Sequence, residues 1–200
     1  MRRLFIGLYM LLILSAALLG NSLHAQNKFY DGWLLVANPN MSDLRFSEAV
    51  VFICRHDSNG AFGLVLNRPA GQIALSKLME SMDVDSAGKK GDIQIRLGGP
   101  VKSEFGFLMY PEKLDEEEQI CRSRGVAITS SKDVIKSLGS EYGPDEAVLF
   151  FGYAGWGPGQ LEIELSHKAW STIPADRELL FDRNLKDLWT RARTRRGIDL

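Results

Sequence analysis

Three short apolar runs, Trp33–Ala37, Ala49–Ile53 and Phe62–Leu66, follow one another closely, with turn-forming residues between them. Runs this short and this rich in Val, Leu, Ile and Phe read as buried strands, since a helix needs about ten residues or more. Between the second and third lies Asp57–Ser58–Asn59–Gly60. Its Asn-Gly pair admits the positive φ angles of a tight turn, so the two strands form a hairpin. A hairpin excludes a purely parallel, doubly wound sheet.

Further along, Asn67–Arg68–Pro69–Ala70–Gly71 is expected to stop the third strand, because proline cannot donate to a ladder. Ile73–Met82 carries apolar residues at helical spacing, Asp83–Gly91 reads as a polar loop, and Ile93–Leu97 is a short strand leading into Gly98–Gly99–Pro100. Gly106–Tyr110 is a further strand. Glu112–Gln119 is a charged excursion whose acidic run, Asp115–Glu118, reads as a solvated loop face rather than a metal cage. After the strand Val126–Ile128, Ser130 or Ser131 caps a helix running to Leu138. Glu146–Phe151 is the most apolar strand and is expected at the sheet centre. Pro158 then starts a helix containing Leu161, Leu165 and Trp170, Leu179–Phe181 reads as a last strand, and Asp182 caps a final helix with Leu185, Leu188, Trp189 and Ala192. Paired strands followed by strands interleaved with helices define an α+β domain with a mixed sheet. Two hundred residues fit one such domain.

The N-terminus has a different character. Arg2 and Arg3 precede an uncharged run of 17 residues, Leu4–Gly20, and then Asn21–Ser22–Leu23–His24–Ala25. A positive end, an apolar stretch and small or polar residues have the layout of a secretory signal. Residues 1–25 are therefore expected to be a leader, either cleaved after Ala25 or kept as a membrane anchor, with residues 26–200 as the domain; the alternative is a start assigned too early, which would leave this segment unmade. Removing the leader takes two arginines and no acidic residue, leaving 22 basic against 25 acidic side chains and a net charge of −3. That balance gives no electrostatic case for nucleic-acid binding, and a membrane enters only through an uncleaved leader.

Two cysteines, Cys54 and Cys121, are present. They either pair across a long loop or fill separate apolar gaps, and spacing does not decide between these. In Ile53–Cys54–Arg55–His56–Asp57, alternation along a strand would place Cys54 and His56 on one face. They form a candidate reactive thiol and its neighbour, and equally a buried cysteine at a strand end. Gly152–Tyr153–Ala154–Gly155–Trp156–Gly157–Pro158–Gly159–Gln160 lies between a strand and a helix, so its amides can face an anion. It lacks the Lys-Ser/Thr of a phosphate-binding Walker loop, and a tight turn plugged by Trp156 explains it as well. Gly98–Gly99–Pro100 is a second such turn. Asn67 and Arg68 can offer an amide and a guanidinium to a carboxylate or phosphate, and Arg68 can equally pair internally. The six basic residues from Arg183 to Arg196 read as a solvated helix face.

Several segments together resemble the bacterial AlgH/YqgE family. They are Gly32–Pro39, Val51–Asp57, Gly63–Pro69, Leu97–Val101 and Gly152–Glu162, with Pro174–Asp176 and the closing Gly197–Asp199. The resemblance covers nearly everything from Asp31 onward. It implies that the mixed sheet is partly rolled and flanked by helices and that there are no established catalytic residues; for some members the name suggests a regulatory role, without a recognised DNA-binding motif. It also implies a cytoplasmic protein, where the leader implies export to the periplasm.

The resulting expectation is a non-enzymatic regulatory or interaction protein with a protein partner, no cofactor and no metal ligands. The alternatives are an enzyme or binding protein for a small anion, and a thiol redox switch using Cys54 and Cys121. Candidate ligand contacts are Asn67, Arg68, Gly98, Gly99, Gly155, Trp156, Gly157, Gly159 and Gln160, expected in one shallow hollow; Cys54 and His56 are the candidate reactive pair.

Overall fold

The computed structural model describes residues 29–112 and 119–195. The leader at 1–25, the acidic run Asp115–Glu118 and the closing Gly197–Asp199 lie outside the described residues.

The first three strands are β1 (Trp33–Ala37), β2 (Val50–Asp57) and β3 (Gly60–Val65), and the β2–β3 hairpin closes where Asp57 faces Gly60. Next come β4 (Pro69–Ala74), helix α1 (Leu75–Ser81), β5 (Asp92–Leu97), β6 (Val101–Pro111), β7 (Gln119–Ser123), β8 (Val126–Thr129) and α2 (Lys132–Ser137). The chain continues through β9 (Val148–Trp156), α3 (Gln160–Ser166), β10 (Trp170–Pro174), α4 (Arg177–Leu180) and α5 (Leu188–Arg195). Eight strands run in the order β10-β1-β2-β3-β9-β6-β8-β7, and β5 branches from β9 with β4 on its outer side. Among the described residues only β5 and β9 pair in parallel, so the sheet is mixed, as the hairpin requires. Strand β9 is the fork: Val148–Phe151 faces β5 and β6, whereas Ala154–Trp156 faces β3.

Alternation sorts the side chains of β2 into two cores. Val50, Phe52 and Cys54 join Phe107, Phe150 and Ile128 on the inside of the rolled sheet, where α4 and α5 add Leu179, Leu180, Leu188 and Ala192. Val51 and Ile53 face a second core under α3, with Trp156, Leu161 and Trp170. A third core, with Leu78, Met79, Val134 and Ile135, holds α1 and α2 against β5, β6 and β8. The roll brings β7, one end of the strand path, back to β2. There Cys54 and Cys121 form a disulfide, with Cα atoms 5.8 Å apart. The separate-filler reading of the cysteines is thereby corrected. Its loop, spanning a sequence separation of 67, constrains the unfolded chain. A Cys54→Ala/Cys121→Ala variant is expected to lose about 2–4 kcal/mol, read as a lower urea midpoint than the oxidised protein. An unchanged midpoint would contradict the pairing.

Several local expectations are corrected. Pro69 opens β4 instead of ending the strand region, since a proline at the start of an edge strand withholds no inner ladder bond. Ile73 and Ala74 belong to that strand, and α1 begins only at Leu75. Trp170 begins β10, leaving α3 a seven-residue helix. The Leu179–Phe181 run is the end of the short helix α4, capped by Asp176, whose carboxylate accepts from the Leu179 N–H. Strand β7 carries no sequence signal, because Gln119, Arg122 and Ser123 interrupt its apolar pattern.

Candidate functional site

A hollow of about 630 Å³ opens between the β4–β5 pair and the segment leading into α5. Its charged lining is Arg68, Arg96, Arg183 and Lys186 against one carboxylate, Glu48, a local balance of +3 in a chain of formal charge −1. Trp189 and Leu185 supply an apolar wall.

Arg96 is the unusual member. It stands within β5, where the strand lies beneath α4 and the turn after it, and its side chain is 0% exposed. Nη1 donates to the Leu66 and Leu180 carbonyls at 3.1 and 3.4 Å. Nη2 donates to the Asp182 carbonyl at 2.7 Å and to Gln94 Oε1 at 2.9 Å. Nε has no partner among the described residues, and the guanidinium sits 5.7 Å from the centre of the Phe150 ring. All of these acceptors are neutral. The carboxylate nearest in influence, Asp182, is itself paired with Arg191. Burial pushes the guanidinium down to about 10, against the attraction of Asp182, yet it stays charged at neutral pH. Between that value and the ordinary arginine range the unfolded chain holds a proton the folded chain has lost, so this group adds stability as pH rises through the window. Below the window the cost of burying its charge is present in full. A buried cation with no matching anion is costly, and such a charge beside an open hollow is a candidate anion site.

The wall beside it is built by Asn67. Its Oδ1 accepts from the Val50 N–H at 2.9 Å and its Nδ2 donates to the Glu48 carbonyl at 2.8 Å, clamping a turn in which Glu48 has φ +54°. Arg68 donates to the Ser47 and Asn67 carbonyls, and no carboxylate pairs with it among the described residues. Arg183 and Lys186 are exposed and make no ion pair among the described residues.

The other candidate residues go elsewhere. Gly155 and Trp156 line a second hollow of about 550 Å³ with Arg55, Asp57, Asn59 and Tyr153. The single shared hollow is thereby corrected to two, because Asn67 and Trp156 lie at opposite ends of β3. The donors of the glycine-rich stretch meet an internal anion. Glu164 accepts from Trp156 Nε1 at 2.9 Å, Trp170 Nε1 at 2.7 Å and Gln160 Nε2 at 2.9 Å. The Gly157 amide donates to Gln160 Oε1, and Gly159 precedes the first residue of α3. Gly98 bonds to both neighbouring strands, its N–H to the Phe151 carbonyl at 2.7 Å and its carbonyl to the Val65 N–H at 2.8 Å. Gly99 packs against the backbone of Tyr153.

Cys54 and His56 do not share a face. A β-bulge between Ile53 and Arg55 resets the alternation, sending Cys54 to Cys121 and His56 towards α3. His56 Nδ1 accepts from the Tyr30 N–H at 3.0 Å, so Nε2 carries the proton and donates to Glu162 Oε1 at 3.1 Å. The ring is buried and stacked on Tyr30. With its sulfur bonded to Cys121, Cys54 is no free thiol beside it.

A single α+β domain with a rolled mixed sheet and a basic hollow at its β4–β5 branch is the class of protein these features define. The profile of the AlgH-like family (DUF179) matches residues 34–200, and the chain belongs to that family. Similar proteins include a UPF0301 protein of Afipia carboxidovorans, 38% identical over 180 residues and covering 86% of each chain. Another, from Methylocella silvestris, is 39% identical over 179 residues, covering 86% of this chain and 87% of the relative. The solution structure of the AlgH protein from Pseudomonas aeruginosa superposes with a TM-score of 0.71 at 34% identity, covering 88% of this chain and 93% of that one. The family is uncharacterised.

Proposed function

We propose that the protein is a non-enzymatic interaction protein whose recognition site is the basic hollow, and that it binds a carboxylate or phosphate group there. The observation that carries this reading is Arg96, charged, wholly buried and without an ion pair among the described residues. Against catalysis stand the bonded sulfur of Cys54 and the two engaged nitrogens of His56. The anion site therefore lies at Arg68, Arg96, Arg183 and Lys186, with Asn67 shaping its wall.

Sodium pyrophosphate and citrate, each at matched ionic strength against sodium chloride, are the probes. At a hundredfold excess over its dissociation constant a bound anion adds about 2.7 kcal/mol, a rise in Tm of several degrees. In an Arg183→Ala/Lys186→Ala variant, whose side chains are exposed and outside the core, that rise is expected to vanish while the unliganded Tm stays put. Equal shifts in both proteins, or none in the native chain, contradict the reading.

The disulfide also supports an exported domain, since such bonds persist in oxidising compartments. Cells lysed into alkylating reagent are then expected to yield unlabelled Cys54 and Cys121, with the protein in the periplasmic fraction; labelled cysteines in the cytosol would oppose export.

A further inference from the structure

Strands β4, β7 and β10 each have a single paired neighbour among the described residues, and β4 is the one whose residues are mostly exposed. It pairs with β5 alone, so every second N–H and C=O along it points away from the sheet. No backbone or side-chain hydrogen bond reaches Ala70–Ile73 from that outer side among the described residues. Pro69, Ala70, Gly71 and Gln72 are exposed. Exposed edges are ordinarily blunted by charged side chains, prolines or bulges; β4 has no charged residue, and its proline and bulge are confined to its start at Pro69–Gly71. Strand β7 ends the main path differently, tied by Cys121 to β2. The open edge also adjoins charge: Pro69 and Gly71 belong to the wall of the hollow that holds Arg68, Arg183 and Lys186.

We infer that β4 and the hollow together dock an extended acidic segment of a partner protein. The segment adds as a strand to the free edge of β4 and lays its carboxylates against Arg68, Arg183 and Lys186. The inference rests on the reading of the hollow as an anion site and names the kind of partner. The two halves supply different things. Main-chain bonds along an uncharged edge give affinity to any extended chain, and the basic hollow selects among chains by charge. Four exposed residues at β4 match a short strand, and a net local charge of +3 matches two or three acidic side chains.

The test uses a displayed library of random octapeptides selected on the oxidised protein, with pyrophosphate binding followed in parallel. Enriched sequences are expected to combine β-branched residues with Asp or Glu. A synthetic copy of the best sequence, N-methylated at two alternate amides, is expected to bind about tenfold more weakly, because two edge hydrogen bonds are lost. Methylation at the intervening amides, which face away from β4, should change affinity less than about twofold. Amide exchange at Ala70–Ile73 should slow on binding. If no acidic peptide is enriched, or both methylation patterns act alike, strand addition is overturned; should pyrophosphate still stabilise the protein, the anion site stands without it. Loss of both signals removes both readings.

Discussion

Arg96→Ala is expected to cost about 3–5 kcal/mol and to lower Tm by roughly 10 °C. The side chain donates to the carbonyls of Leu66, Leu180 and Asp182, which join β3, α4 and the turn after it to β5. Truncation leaves three carbonyls without a donor, at about 1–3 kcal/mol each, and opens a void beside Phe150. Relief from burying the charge offsets part of this. Arg96→Lys keeps the charge but offers one compact ammonium instead of a fork, so an intermediate Tm is expected. Thermal unfolding by circular dichroism checks the order native, Lys, Ala. A stable Arg96→Ala protein would mean that the guanidinium does not bridge these elements.

The second large effect is expected at Gly99. Its φ is +151°, and a Cβ there would lie 2.2 Å from the Tyr153 carbonyl carbon and 2.4 Å from the Ala154 nitrogen. These are backbone atoms of the central strand β9, so no rotamer change relieves the contact. Gly99→Ala is expected to lose more than about 4 kcal/mol and to accumulate as insoluble protein. The neighbouring Gly106 is the control. A Cβ there meets only the Leu149 and Phe151 side chains, at 3.7 and 3.9 Å. Gly106→Ala is therefore expected to fold with Tm within a few degrees of native. Soluble expression and Tm distinguish the two, and a folded Gly99→Ala protein would refute the close approach.

What the sequence makes legible follows from which signals are local. Trp33–Ala37 is a strand with the boundaries read from its apolar run, because a strand buried on both sides shows its whole length as hydrophobic residues. The hairpin is legible because the Asn59–Gly60 turn is local chemistry. The rolled sheet comes from family resemblance, since no local pattern specifies that β7 returns to β2. Short apolar runs such as Leu179–Phe181 are ambiguous between strand and helix, and tertiary packing against the inner core decides.

The site was less legible than the fold. Asn67 and Arg68 stood out because an amide and a guanidinium beside a proline suggest a polar cluster, and both line the basic hollow. Arg96 was missed inside Ile93–Leu97, although an arginine within an apolar strand is itself a signal that a charge must be buried or paired. The basic pattern from Arg183 onward predicts a solvated helix face; the helix begins only at Leu188, which leaves Arg183 and Lys186 on the loop over the hollow. Glycines 155–159 drew attention for amides that the structure turns to Gln160 and, through side chains, to Glu164.

The central claim is that buried positive charge at the β4–β5 branch receives an anion. NMR titration of the ¹⁵N-labelled protein with pyrophosphate tests it most directly. Saturable shifts are predicted at the Arg68, Arg96 and Arg183 guanidinium groups and at the Thr190 amide, with Gly155–Gln160 unmoved. Saturable shifts centred on the glycine-rich stretch, or none anywhere, would contradict it.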